Sequence, residues 1–237
     1  MSGGEPQTAE DKSRLRDAAT IILVRRDPER PAILMGMRGK TAAFMPSKYV
    51  FPGGAVDPED ADLALAGTAD ALTLRRLAIE PRTDSAVTPR QILAAALREL
   101  AEETGLLIGQ PGDSPLPGYA EAGLMPDPSA LHFIFRAITP PGRPRRFDAR
   151  FFLADAAHVS GDPDDFSRAC DELSHLHWVP IAEARALHLP FITEVVLAEA
   201  AALIRGSGDA ALHAPENVPF FDNRDQRSRF VQLGATE

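Results

Sequence analysis

Residues 98 to 105, RELAEETG, place three glutamates within a turn and a half of a predicted helix. Glu99, Glu102 and Glu103 share one stripe, because offsets of three and four residues stack on the same helical face. Like charges at that spacing cost about 0.2 to 0.5 kcal/mol per pair, and Arg98 can neutralise only one of them. A hard divalent cation takes oxygen ligands and would resolve the excess charge. The stripe is therefore a candidate metal site, and the alternative is a solvated helix face, which is the commoner origin of such a stripe.

The helix that must carry these glutamates has clear start and stop signals. Thr88 is a good N-cap, Pro89 suits the first helical position, and Gln91 completes a capping box. Gly105 suits the left-handed residue that ends a helix. These signals predict a helix over residues 89 to 104. Its core-facing positions would be Leu93, Leu97, Leu100 and Thr104.

Short apolar runs bounded by turn residues predict the strands around that helix. These runs are residues 18–26, 32–38, 48–54, 131–140, 145–155 and 176–180. The helical patterns are residues 60–80, with one or two short helices, 181–187 and 191–205. We expect residues 1–17 to be a disordered tail and the residues after 206 to be a loop. Strands first, a helix between them and helices last predict a mixed α/β domain with a peripheral helical insert.

The composition restricts partners and compartment. The 237-residue chain has a net charge of -9, which argues against a duplex nucleic-acid partner, because phosphate binding depends on clustered Lys and Arg. No apolar run is long enough to span a membrane, and the polar start lacks a secretory core. The single cysteine, Cys170, needs no oxidising compartment. We therefore expect a cytoplasmic protein with a small-molecule partner, without nucleic acid or membrane.

One basic run contrasts with the acidic chain. The segment PGRPRRFDAR contains Arg143, Arg145, Arg146 and Arg150 within ten residues. It could meet a small polyanion or form a solvated turn, and the run alone does not separate the two.

The glutamate stripe belongs to a longer pattern, R-E-L-x-E-E-x-G-L, which lies downstream of FPGGAVDPED. Together these segments resemble the box of the Nudix hydrolase family, G-x5-E-x7-R-E-(apolar)-x-E-E-x-G-(apolar). The matching positions are Gly54, Asp60, Arg98, Glu99, Leu100, Glu102, Glu103, Gly105 and Leu106. Two features depart from the box. Asp60 stands in place of glutamate, and residues 61 to 97 fill a gap that has seven positions in the family; neither touches the helical ligands.

Both departures resemble one branch of the family. FPGG followed by spaced aspartates is similar to the coenzyme A diphosphatases. The long insert and the segment 138–154 are similar to the peroxisomal acyl-coenzyme A diphosphatases of animals. The resemblance covers residues 18 to about 190. It implies a Nudix-type α/β/α sandwich with a mixed sheet over residues 18–205. A helical insert at about 61–88 would lie beside the active-site mouth, and residues 206–237 would be a C-terminal extension.

The resemblance also implies roles for individual residues. Glu99, Glu102, Glu103 and the Gly54 carbonyl would hold one to three Mg²⁺ or Mn²⁺ ions. Glu99 or Glu172 would accept a proton from the attacking water, and Arg98 would orient a glutamate. From the residues alone, Glu172 is one acid in the acidic stretch 162–173, so a solvent-exposed role stays open. The implied substrate-binding residues are Arg38, Gly53, Arg145 and Arg146.

The implied reaction is metal-dependent hydrolysis of the diphosphate in a nucleoside-diphosphate-linked compound. Coenzyme A or an acyl-coenzyme A would give 3′,5′-ADP and (acyl) 4′-phosphopantetheine, and a homodimer is possible. One alternative is a Nudix hydrolase that acts on ADP-ribose or a dinucleotide. Another is a Nudix module that senses a nucleotide without hydrolysing it.

Overall fold

The β-branched run that starts the domain forms the central strand of a mixed sheet. A computed structural model of the chain describes residues 14–39 and 45–234. The strands are β1 Leu15–Arg25, β2 Ala32–Arg38, β3 Tyr49–Val50, β4 Gly53–Ala55, β5 Gly109–Pro111, β6 Leu124–Pro126, β7 His132–Ile138, β8 Arg146–Asp155, β9 Leu173–Pro180, β10 Val218–Asp222 and β11 Arg229–Leu233. The α-helices are α1 Ala71–Leu77, α2 Pro89–Thr104, α3 Tyr119–Ala122, α4 Ile181–Ala184 and α5 Phe191–Ser207. Short 3₁₀ turns lie at Pro58–Ala61, Pro128–Ala130 and Ala156–His158.

The main sheet contains nine strands in the order β11-β10-β7-β8-β1-β2-β3, with β4 paired to β1 and β9 paired to β2. The pairs β1–β8 and β7–β10 are parallel and the other pairs are antiparallel. The predicted antiparallel pairing of residues 18–26 with 32–38 is confirmed. Among the described helices, none is long and apolar enough to cross a membrane.

Two helices cover the two faces of this sheet and give the predicted α/β/α sandwich. Alternate residues of β1 point to opposite faces, as the two-residue period of a strand requires. Ile21 and Leu23 pack with the Leu93–Leu97–Leu100 stripe of α2, whereas Ile22 and Val24 pack with α5. A third cluster, which includes Leu63 and Tyr119, covers the outer side of α2. Helix α2 is therefore enclosed on both sides, which fixes the position of the glutamates that it carries.

Helix α2 begins and ends at the predicted residues. The Thr88 side chain accepts a hydrogen bond from the Gln91 backbone amide, and the Gln91 side chain accepts one from the Thr88 backbone amide at 2.9 Å. Gly105 adopts φ +76°, the left-handed conformation expected of a C-terminal stop. Local capping chemistry was sufficient to predict this helix.

The prediction of a loop after residue 206 is wrong. The C-terminal segment forms β10 and β11, and β10 pairs in parallel with β7, so these residues extend the main sheet. Strand β1 begins at Leu15, inside the predicted tail, and residues 1–13 of that tail lie outside the described residues. The sheet contacts of β10 show that the boundary at 205 does not separate the C-terminal residues from the domain's sheet.

Helix α1 of the insert is attached to the sheet at β7, away from β4. Thr73 of α1 accepts a hydrogen bond from the Phe133 amide of β7, and Arg76 donates to the Glu216 carbonyl. In the sheet order β7 lies two strands from β1, so α1 does not border the β4 glycines. Helix α1 therefore packs at β7, and the position of the insert beside the active-site mouth stays a prediction. The 3₁₀ turn at Pro58–Ala61 does approach the glutamate helix, through Asp60.

A buried ionic network anchors the end of the insert. Asp148 of β8 pairs with Arg136 and Arg150, Asp17 of β1 pairs with Arg150, and Arg82 of the insert lies 3.4 Å from Asp17. All five residues are buried. Arg150 of the predicted basic run is therefore part of this internal network, and its guanidinium faces other protein groups.

Candidate active site

Glu103 lies at the centre of the site with one of its oxygens unused. It is 2% exposed, and its Oε2 accepts a hydrogen bond from the Gly53 amide at 2.7 Å. Its Oε1 is buried and has no hydrogen-bond partner. Burial raises the pKa of Glu103 to about 8, the charges of Glu99 and Glu172 add to the rise, and the bond from Gly53 opposes it. A buried carboxylate oxygen without a partner is costly unless a proton or a cation satisfies it.

Glu99 lies one helical turn earlier, against the β4 glycines. Burial raises its pKa to about 7, and the charge of Arg98 opposes this rise. A Cβ atom at Gly54 would overlap the Glu99 carboxylate, so a larger residue there would displace that side chain. At Gly53 a Cβ would likewise overlap Thr20 of β1. The two glycines therefore bring β4 backbone next to two glutamates.

Arg98 neutralises part of the glutamate stripe and is itself held in place. Its guanidinium donates to Asp60 at 2.8 and 3.0 Å, to Glu99 at 2.9 Å and to Glu102 at 3.1 Å. Burial lowers the pKa of Arg98, but the bond to Asp60 and the charge of Glu99 outweigh it, and the net shift is upward. Asp60 is 1% exposed, and its bidentate contact fixes the guanidinium plane. Arg98 thus contacts two glutamates while Asp60 holds it, and Asp60 is a partner that the sequence did not reveal. Its orienting role stays a prediction.

Glu172 reaches the same region from the start of β9. Its carboxylate is 2.6 Å from Arg38 Nη2, and its charge contributes to the raised pKa values of both Glu99 and Glu103. Its side chain is 53% exposed. Arg38, at the end of β2, has a buried Nε without a hydrogen-bond partner. The structure thus brings Arg38 and Glu172 to the glutamate helix.

Cys170 is a neighbour of the site that sequence reasoning did not place there. Its amide donates to the Glu102 carbonyl at 2.9 Å. Burial raises the pKa of its thiol, and the charges of Glu103, Glu172 and Glu102 add to the rise. The segment that carries Glu172 is therefore tied to the end of α2, and the sequence signal for this was only that Cys170 lies two residues before Glu172.

The structure does not bring Arg145 and Arg146 to the glutamates. The Arg146 guanidinium donates to the carbonyls of Thr139, Asn223 and Arg224, near the end of β10. In the sheet, β10 and β4 are four strand spacings apart, or about 19 Å at the usual spacing. Arg145 is exposed at the same end as Arg146. Both arginines therefore belong to a different surface.

The donor set fits a hard divalent cation. In the described part of the chain, no three His, Cys, Asp or Glu side chains already enclose a metal position. Arg98 accounts for part of this arrangement, because it occupies Glu99 and Glu102. The unpartnered Glu103 oxygen is free to take a ligand, and the raised pKa values of Glu99 and Glu103 show that negative charge there is costly unless a cation is bound. Oxygen-only ligands suit Mg²⁺ or Mn²⁺.

Comparison with known proteins relates this arrangement to a family. No family model matches the chain. A crystal structure of a Nudix hydrolase from Alicyclobacillus acidocaldarius is 29% identical, with a TM-score of 0.62, and the match covers 85% of this chain and 99% of that one. The fold is that of a Nudix hydrolase.

A sequence relative agrees with this Nudix similarity. The Caenorhabditis elegans protein named nudix hydrolase 7 is 29% identical over 184 residues, which cover 70% of this chain and 52% of the relative. The chain therefore spans about half the length of that curated relative. The sequence relative and the structural neighbour both carry the Nudix name.

Proposed function

We propose that the chain is a metal-dependent Nudix diphosphatase that hydrolyses a nucleoside-diphosphate-linked compound. The observation that carries this proposal is Glu103, a buried carboxylate whose second oxygen has no hydrogen-bond partner among the described residues. A sensor that only binds a nucleotide has no need of such a costly group. All three box glutamates are also present.

The residues divide the work of the reaction. Glu99, Glu102, Glu103 and the Gly54 carbonyl would hold Mg²⁺ or Mn²⁺, which when bound neutralises phosphate charge and acidifies a water. Arg98, fixed by Asp60, aligns the carboxylates of Glu99 and Glu102. The Gly53 amide holds Glu103 in one orientation.

Proton transfer and phosphate binding fall to the neighbouring residues. Glu99 or Glu172 would accept the proton of the attacking water. Burial raises the pKa of Glu99 to about 7, and the charge of Glu172 adds to that rise. Arg38 offers a guanidinium at the mouth of the site, and guanidinium groups bind phosphate through paired hydrogen bonds. Substrate phosphate would compete with Glu172 for Arg38.

Within this class we propose coenzyme A or an acyl-coenzyme A as substrate, with 3′,5′-ADP and (acyl) 4′-phosphopantetheine as products. The support is the likeness of FPGG and of segment 138–154 to coenzyme A diphosphatases. The basic run is not part of this support, because Arg146 and Arg150 are engaged by protein groups.

A substrate panel with product identification tests the activity and the branch separately. Purified protein with Mg²⁺ or Mn²⁺ would be given coenzyme A, acetyl-coenzyme A, ADP-ribose and a diadenosine polyphosphate, and the products separated by chromatography. We expect 3′,5′-ADP from the coenzyme A compounds. Hydrolysis of ADP-ribose alone would overturn the coenzyme A proposal and leave the diphosphatase proposal standing. No turnover of any compound would overturn the diphosphatase proposal.

A further inference from the structure

Two turns that are distant in sequence meet at one end of the sheet. Strands β7 and β10 run parallel, so the turn after β7, residues 139–145, and the turn after β10, residues 223–228, emerge at the same end. The Asn223 side chain donates to the Ile138 carbonyl at 2.9 Å, and Arg146 donates to the Asn223 carbonyl at 2.9 Å. These bonds join the turns into one surface.

Arginines dominate this surface, which we name the basic end. They are Arg143, Arg145, Arg146, Arg224, Arg227 and Arg229. Three carboxylates lie among them, those of Glu80, Asp222 and Asp225, so arginines outnumber acids two to one in a chain whose net charge is -9. The sequence revealed only the first half of this surface, because the second half comes from a segment that was predicted to be a loop.

Some of these arginines are already engaged. Arg224 bonds to Asp222 at 2.9 Å and to Glu80 at 2.5 Å, and Arg229 also pairs with Asp222. Arg146 is held by backbone carbonyls. By contrast, Arg143, Arg145 and Arg227 are exposed and form no ion pair with another described residue. The surface therefore combines three arginines that are held by protein groups with three whose guanidinium groups are unpaired.

A groove of about 710 Å³ opens at the basic end. It is lined by Pro141 and by residues 224–229, which include Asp225, the ion-paired Arg224 and Arg229, and the unpaired Arg227. This volume lies in the range of small-molecule sites, roughly 300 to 1,000 Å³. The groove is separate from the glutamates. Gly54, Ala19, Arg150, Arg136 and Phe220 follow one another across the sheet, so β10 lies about 19 Å from β4.

We propose that the basic end binds an oligophosphate, a small molecule that carries two or more linked phosphate groups. Three unpaired guanidinium groups exceed the charge of one phosphate monoester, and arginine binds phosphate oxygens in pairs. A long nucleic acid would also meet the acidic remainder of the chain, whereas a small anion is affected mainly by charges within the Debye length of about 8 Å. A binding site here does not depend on hydrolysis at the glutamates.

Calorimetric titration of the full chain with inorganic triphosphate, in EDTA and starting at about 0.15 M salt, tests this proposal. EDTA prevents both hydrolysis and metal-assisted binding, so failure of the proposed function would not affect the result. We expect one site that weakens as salt rises. The triple variant Arg143→Ala, Arg145→Ala, Arg227→Ala should bind about tenfold more weakly or worse, because it loses several charge-assisted hydrogen bonds.

Two controls separate this site from general charge effects and from the active site. The triple variant Arg75→Ala, Arg185→Ala, Arg205→Ala removes the same charge from exposed positions elsewhere and should keep the affinity within about twofold. Glu103→Gln should leave binding unchanged. Equal losses in both triple variants, a change with Glu103→Gln, no binding by wild type, or tighter binding of a single-stranded oligonucleotide than of triphosphate would each overturn the proposal. Melting curves of every variant without ligand would verify folding.

Discussion

Glu103 combines two properties that rarely occur together, near-complete burial and an oxygen without a partner. It lies on the helix next to the β4 backbone, where the Gly53 amide donates to its Oε2. Its side chain is therefore prepared for a cation at a cost to the metal-free protein. The same cost makes the site testable without any substrate.

The first prediction is that the metal-free protein loses stability as pH rises through the range in which Glu103 ionises. The pKa of Glu103 is raised from 4.5 to about 8 in the folded state, so folding binds a proton between these values and the free energy of unfolding falls as pH increases. Glu103→Gln lacks this group and should melt higher than wild type at pH 8 in EDTA, by about 2 °C or more, with little difference near pH 4.5. Differential scanning calorimetry would measure both.

Added Mg²⁺ completes this test. A cation favours the ionised carboxylate, so it should raise the wild-type melting temperature more at pH 8 than at pH 5, and it should stabilise Glu103→Gln much less. The variant should also lose most turnover. A variant with near wild-type activity would remove Glu103 from the metal site.

The second prediction concerns Glu172 and its partner Arg38. If Glu172 accepts the proton, Glu172→Gln should lower kcat by about two orders of magnitude or more. Asp171→Asn changes the adjacent exposed carboxylate and should leave kcat nearly unchanged. Arg38→Lys keeps the charge but loses the paired hydrogen bonds, so its main effect should be on KM. The pH–rate profile of each variant is the measurement, and an unchanged profile for Glu172→Gln would assign the base to Glu99.

At the element scale, α2 and the strands around β1 were predictable and β10 and β11 were not. Helix α2 is specified by residues within its own termini, from Thr88 to Gly105. Strand β10 is short, contains Pro219, and is defined by pairing with β7 far away in sequence. The same distinction between local signals and long-range contacts explains which parts of the site could be predicted. The three helical glutamates could be read from spacing, but the partners of Asp60 and Arg146 arise only from tertiary contacts.

The third prediction uses two glycines at helix ends as a matched pair. Gly105 has φ +76° and a Cβ there would lie 3.0 Å from Arg168 Cβ, so Gly105→Ala should destabilise the protein by about 1 to 2 kcal/mol. Gly206 lies inside α5 with open space around it, so Gly206→Ala should be neutral or stabilising by up to about 1 kcal/mol. Urea denaturation would compare them. Equal effects would contradict the left-handed stop at Gly105.

Across the whole molecule, charged residues form three separate groups. The glutamates form an acidic site on one side of β1, the basic end lies at the other side of the sheet, and the ionic network lies buried between them. The network connects the insert to β1, β7 and β8 through Arg82, Arg136 and Asp148. The insert is thus fixed to the sheet by buried charges, while α1 adds apolar packing through Leu77.

The fourth prediction tests this anchor. Asp148 is fully buried and faces Arg136 and Arg150, so Asp148→Asn leaves two buried guanidinium groups without their shared counter-charge and should cost about 3 to 5 kcal/mol of unfolding free energy. Asp84→Asn removes the exposed partner of Arg82 and should cost about 1 kcal/mol or less, because the Asp84 carboxylate is 66% exposed. Urea denaturation at pH 7 compares the two. Similar small losses would mean that apolar packing of the insert, and not the ionic network, holds it on the sheet; a large loss for Asp148→Asn alone would assign the anchoring to the buried charges.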